Sequence, residues 1–142
     1  MSDMPASQAV DLSQIWLLSS LNKTERRAVE RHARKIDVTA GELILDEGSV
    51  GQACYVIASG KVAVLRHNRK IAELGPGEIV GEVALLDRLP RTASVKALVD
   101  STLYEITKTD FDTALESSPA IARKLLTTLA ARLRDADSKA AY

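Results

Sequence analysis

The sequence predicts an α+β fold: an eight-stranded antiparallel β-roll, a jelly-roll-like barrel, flanked by N-terminal helices and two C-terminal helices. Three observations predict it. All seven glycines fall between Gly41 and Gly81, where they punctuate short apolar segments as turns between strands do. From Ile36 to Thr107 apolar residues alternate, whereas outside that window they recur at helical spacing. Near the end, Ile121, Leu125, Leu129 and Leu133 recur every four residues, with Ala122, Leu126 and Ala136 widening one apolar stripe. The expected layout is a flexible tail over 1–10 and one domain over 11–142. That domain divides into helices over 11–35, the roll over 36–107 and helices over 108–138.

Taken in order, Leu12, Ile15, Trp16, Leu17, Leu18 and Leu21 form a first apolar turn or two, with Trp16 as a packing anchor. Asn22 followed by Glu25 opens a second helix in the manner of a capping box. Its outer face would carry Lys23, Arg26, Arg27, Glu30, Arg31 and Arg34, a mixed solvated face rather than a nucleic-acid surface. Strands are expected near 36–39, 42–46, 53–59, 61–66, 69–74, 78–80, 93–99 and 102–107. Gly60 reads as a hairpin turn, as does His67-Asn68 before Arg69. Thr109 with Asp112 resembles a cap for a helix through about Glu116. Ser118 before Pro119 starts the last one, proline being suited to the first helical position.

Composition narrows the function. A chain of 142 residues with 46% hydrophobic and 27% charged residues is an ordinary globular domain, burying roughly two-thirds of its unfolded surface. Acidic and basic residues balance at 19 each, so no net field draws nucleic acid or an anionic membrane. No apolar run approaches the roughly 20 residues of a membrane span, and the first residues lack a secretory pattern, so a cytoplasmic location is expected. Cys54 is the one cysteine and reads as a small apolar strand residue. His32 and His67 are too few for a histidine metal site, and no metal is expected. No serine or cysteine has a recognisable base, so hydrolase chemistry has no support. A binding module, not an enzyme, is expected.

The stretch GPGEIVGEVALLDRLPRTASV, residues 75–95, carries the chemistry. Gly75-Pro76-Gly77 is tight-turn chemistry. Glu78-Ile79-Val80 reads as a short strand, and Gly81-Glu82-Val83-Ala84-Leu85-Leu86 as one or two helical turns. Asp87-Arg88-Leu89-Pro90 then loops back to Arg91, Thr92 and a strand beginning at Ala93. The first amides of a helix lack intrahelical partners and favour an anion. Gly81 lets a phosphate lie close to the backbone, and Arg91 adds a forked cation. Glu82 repels phosphate, so it is better explained by a hydroxyl donor such as a ribose 2′-OH. Together these residues ask for a sugar phosphate of modest charge, in a pocket sized for a ringed monophosphate.

Gly81-Glu82-Val83-Ala84-Leu85 and Pro90-Arg91-Thr92-Ala93-Ser94-Val95 resemble the phosphate-binding cassette of the cyclic-nucleotide-binding domain family. The likeness extends to Val38-Thr39-Ala40-Gly41-Glu42 and Asp46-Glu47-Gly48 and covers roughly residues 11 to 136. The resemblance implies a cassette over 77–93 in which Glu82 takes the ribose 2′-OH and Arg91 the cyclic phosphate. It implies that amides near Gly81, Val83, Ala84, Thr92 and Ala93, with the Thr92 hydroxyl, complete the site. The ligand is then cAMP, ahead of cGMP; Thr92 does not settle that choice.

The resemblance also makes the last helix a lid over the base, with Leu129, Arg132 and Leu133 as lid candidates. The same stripe serves equally to pack on the roll or on a second copy in a homodimer. The chain stops at Tyr142, so no DNA-reading domain is expected. The bound state would pass through the terminal helices to a separate protein partner, or the chain is part of something larger. The rival reading is a scaffold or protein-interaction domain of the same fold that has lost its ligand.

Overall fold

The computed structural model describes residues 33–117 and 119–134. The N-terminal tail and helices, Trp16, the Asn22–Glu25 cap, His32, Ser118 and residues 135–142 lie outside the described residues. Among the described residues eight strands form: β1 (Arg34–Val38), β2 (Leu43–Leu45), β3 (Ala53–Ser59), β4 (Val62–Arg66), β5 (Arg69–Leu74), β6 (Ile79–Val80), β7 (Ser94–Ala97) and β8 (Ser101–Thr107). Three helices accompany them among the described residues: α1 (Glu82–Asp87), α2 (Lys108–Ser117) and α3 (Pro119–Arg134).

The strands do not close into a barrel. They make two four-stranded antiparallel sheets, ordered β1-β8-β3-β6 and β2-β7-β4-β5. The space between the sheets holds Val38, Leu45, Ile57, Val62, Val64, Leu74, Val80, Ala93, Val95, Ala97 and Leu103. A second core joins Cys54, Val56, Ile79 and Ile106 to Leu85 of α1, Phe111 of α2 and Leu125 of α3. The first sheet is therefore covered on both faces. That is why β3 reads ACYVIAS, nearly without polar interruption. Cys54 and Val56 point to the helices while Tyr55 and Ile57 belong to the space between the sheets. Each fully buried Ile or Leu contributes about 1.5–3 kcal/mol relative to exposure.

Local chemistry explains most boundaries. The Glu78 amide donates to the Gly75 carbonyl at 3.2 Å and the Gly75 amide to Glu78 Oε2 at 2.9 Å, closing the turn around Pro76. His67 and Asn68 both take positive φ, 52° and 65°, the primed hairpin turn that joins β4 to β5.

Three expectations differ. Gly60 does not turn a hairpin, since β3 and β4 belong to different sheets. At φ +98° a Cβ there would lie 2.7 Å from the Ser101 Cα, so this crossover is packed backbone on backbone. The cap of α2 is Thr107, whose Oγ1 accepts the Asp110 amide at 3.2 Å, rather than Thr109, which is inside the helix. Arg34 lies in β1, paired with Glu105 at 3.0 Å, instead of on a helix face. Finally, the Lys108 amide that opens α2 donates to the Gln52 carbonyl just before β3, at 2.9 Å.

Candidate functional site

The backbone of Arg91 is clamped by the loop after β2. Its amide donates to the Ser49 carbonyl at 2.8 Å, and the Gly48 amide donates to its carbonyl at 2.9 Å. So the Asp46-Glu47-Gly48 turn exists to fix where Arg91 leaves the backbone. The side chain then turns inward and is only 8% exposed. Nη2 donates to the Ala53 carbonyl at 2.7 Å and Nη1 to the Gly81 carbonyl at 3.3 Å. Burial lowers the pKa of the guanidinium, which nonetheless stays charged.

Gly81 is required twice over at the start of α1. It sits at φ +87°, and an added Cβ would meet Arg91 Nη1 at 2.7 Å and Leu45 Cδ1 at 3.1 Å. Glu82, the first residue of α1, is completely buried. Its Oε2 accepts Arg132 Nη1 from α3 at 2.9 Å, and Arg132 Nη2 reaches the Ile79 carbonyl at 2.7 Å. Glu82 Oε1 is buried with no hydrogen-bond partner among the described residues. Burial pushes the Glu82 carboxyl above the usual range, and the Arg132 charge only partly opposes it. An unpaired buried acceptor costs about 1–3 kcal/mol, so a donor from a ligand would relieve an existing penalty.

Five of the expected residues line one void: Gly81, Ala84, Arg91, Thr92 and Ala93, together with Leu45 and Val95. Its volume is about 10 Å³, so it is not the ringed-monophosphate pocket that the sequence suggests. That is space for about one water. Leu45, Val95 and the guanidinium are among the walls of the void. Val83 is half-buried and does not line the void. Among the lid candidates, Leu129 packs on the helix-side core, Arg132 grips Glu82, and Leu133 remains 61% exposed.

Sequence reasoning missed Leu45, although its place in an alternating strand beside the void could have flagged it. It also missed the carbonyls of Ala53 and Ile79, for which a sequence carries no signal. A wider, open cleft of about 440 Å³ also reaches Arg91, lined by Asp46, Ser49, Gln52, Tyr55 and Glu105 among others. It includes neither Gly81 nor Glu82, and two carboxylates line it, which disfavours phosphate. Tyr55 donates to Glu105 there at 2.9 Å, and its hydroxyl is pushed up to about 12, chiefly by burial.

Among the described residues no cluster of His, Cys, Asp or Glu is arranged to hold a metal ion, and no helix is long and apolar enough to cross a membrane. A family model described as the cyclic nucleotide-binding domain matches residues 35–118. The chain is 41% identical over 102 residues to the cyclic AMP receptor protein of Thermus thermophilus, covering 68% of this chain and 47% of that protein. It is 38% identical over 94 residues to the potassium/sodium hyperpolarization-activated cyclic nucleotide-gated channel 3 of Mus musculus, covering 66% of this chain and 12% of the channel. The crystal structure of the Thermus thermophilus catabolite activator protein superposes with a TM-score of 0.77 at 35% identity, covering 86% of this chain and 60% of that one. The chain thus spans about half or less of the length of these curated relatives.

Proposed function

The chain belongs to the cyclic nucleotide-binding domain family, and from that premise we propose that it is a sensor for cAMP, ahead of cGMP, that passes its bound state to a separate partner through α2 and α3. In this reading Arg91 takes the cyclic phosphate, with the amides of α1 and of Thr92 and Ala93 beside it. Glu82 Oε1 accepts the ribose 2′-OH while Oε2 keeps Arg132. One carboxylate then serves ligand and lid together, which makes the position of α3 sensitive to occupancy. The observation that carries the reading is the convergence of Gly81, Ala84, Arg91, Thr92 and Ala93 on one void, with an unpartnered buried oxygen on Glu82, the residue next to Gly81.

Binding requires this site to open. Arg91 must exchange the Ala53 and Gly81 carbonyls for phosphate oxygens, and the Leu45 and Val95 side chains must retreat. The apparent affinity is then the intrinsic one reduced by the fraction of molecules already open. A ligand shifts that balance only by its preference for the open form.

A specific observation also favours the rival scaffold reading: the void is small and both arginine contacts are satisfied internally. Calorimetric titration with cAMP, cGMP and 5′-AMP separates the two. Saturable binding of a cyclic nucleotide in preference to 5′-AMP supports the sensor, and no heat with any of them supports the scaffold.

A further inference from the structure

Arg66 ends β4, and on that strand Val62, Val64 and Arg66 alternate onto one face. The first two are fully buried between the sheets. Leu65 stands opposite Ser94 of β7, so Arg66 continues the ladder toward Ala93 and the cassette. Its Nε donates to the Thr92 carbonyl at 3.1 Å. Of its neighbours, His67 Nδ1 lies 3.5 Å from Glu47 and Lys70 pairs with Glu73, while Arg69, opposite Arg66 across the hairpin, has no carboxylate within ion-pair distance among the described residues. Arg66 differs from Arg69 in being half-buried and tied to the cassette. Among the described residues its terminal amines have no hydrogen-bond partner and no carboxylate within ion-pair distance. Arg66 is half-buried, tied by one nitrogen and open at the other two, so its charge stands ready for an anion without breaking an internal contact.

We propose that Arg66 is a second phosphate-binding cation of the cyclic-nucleotide site, the one an incoming ligand meets first. This rests on the proposed function. Thr92 is bonded directly to Arg91, so the Nε tether holds the open amines at the phosphate end of the cassette rather than at the base. A cyclic phosphate carries two unesterified oxygens, and a planar fork suits them. In the closed structure the Arg91 donors are occupied by carbonyls, whereas those of Arg66 are not. Arg66 therefore captures the anion, and Arg91 takes it as the void opens. A charge at the rim of a site acts mainly on association rate and its salt dependence.

The test is stopped-flow association of fluorescent cAMP and cGMP analogues with the full chain over a series of ionic strengths. Wild type, Arg66→Gln and Arg66→Lys are compared. Glutamine keeps a donor for Thr92 without charge, and lysine keeps the charge. Arg66→Gln is expected to slow association about 3–10-fold at low salt and to flatten its salt dependence, with Arg66→Lys close to wild type. Equal association rates and salt slopes in Arg66→Gln and wild type overturn the proposal. So does an equal loss in both variants with an unchanged salt slope, which assigns Arg66 to tethering Thr92 alone. If wild type binds no cyclic nucleotide at all, the sensor reading itself falls, a result distinct from either of these.

Discussion

Glu82 and Arg132, fifty residues apart in sequence, meet at 2.9 Å with the carboxylate fully buried and the guanidinium side chain 10% exposed. The contact ties the last turns of α3 to the first residue of α1. The helix proposed to carry the output is thereby fastened to the residue proposed to read the ribose.

Removing the cation from that pair leaves a buried carboxylate alone. Arg132→Ala is expected to destabilise the protein by about 3–5 kcal/mol, the usual cost of breaking a buried pair from one side. The loss should be smaller at pH 5 than at pH 8, because the stranded carboxyl then takes up a proton. Thermal or urea unfolding at both values checks this; an equal loss at both would mean that Glu82 is not the partner that matters.

Glu82 alone gives a second expectation. Burial raises its pKa above the ordinary glutamate range, so the folded protein holds that proton more tightly than the unfolded chain does. The stability it contributes is present in full below the ordinary glutamate range and is lost as pH rises through the raised value. Glu82→Gln should therefore unfold at a higher temperature than wild type at pH 7, with the advantage shrinking toward pH 4. A constant difference across that range would contradict the assignment.

Arg91→Ala is expected to weaken cyclic-nucleotide binding by more than tenfold, since a charge-assisted contact contributes roughly 1.5–3 kcal/mol. Glu82→Ala should lose somewhat less. Titration calorimetry reads both, and unchanged affinity in Arg91→Ala removes the phosphate assignment.

Gly60→Ala tests the fold independently of the ligand. Positive φ and a 2.7 Å approach to the Ser101 backbone leave no room for a methyl group. A loss of at least about 1–3 kcal/mol is expected by denaturant unfolding, typical of strain at such positions.

Much of this was legible beforehand because its signals are local. Alternation marks β3 and β4, positive-φ residues mark the turn at His67 and Asn68, and the cassette residues are contiguous. What was hidden depends on the partner strand or on main-chain atoms. Gly60 looks like any hairpin glycine until its neighbour proves to be Ser101 in a crossover. The sequence points to Thr109 as the cap, and the helix start at Lys108 moves it to Thr107, which the sequence pattern gives no signal to prefer. The size of the void was unreadable because it depends on how side chains from separate elements, Leu45, Arg91 and Val95, come together around Gly81.

The start of β3 ends up with an unusual double duty. Two successive peptide groups hold two different things: the Gln52 carbonyl holds the first amide of α2, and the Ala53 carbonyl holds the Arg91 guanidinium. Any ligand that draws Arg91 away unseats one of these neighbours and leaves a bare oxygen a single residue from the other. In the proposed sensor, news of occupancy has a route of one peptide plane to the helical segment, without crossing the interior of the roll.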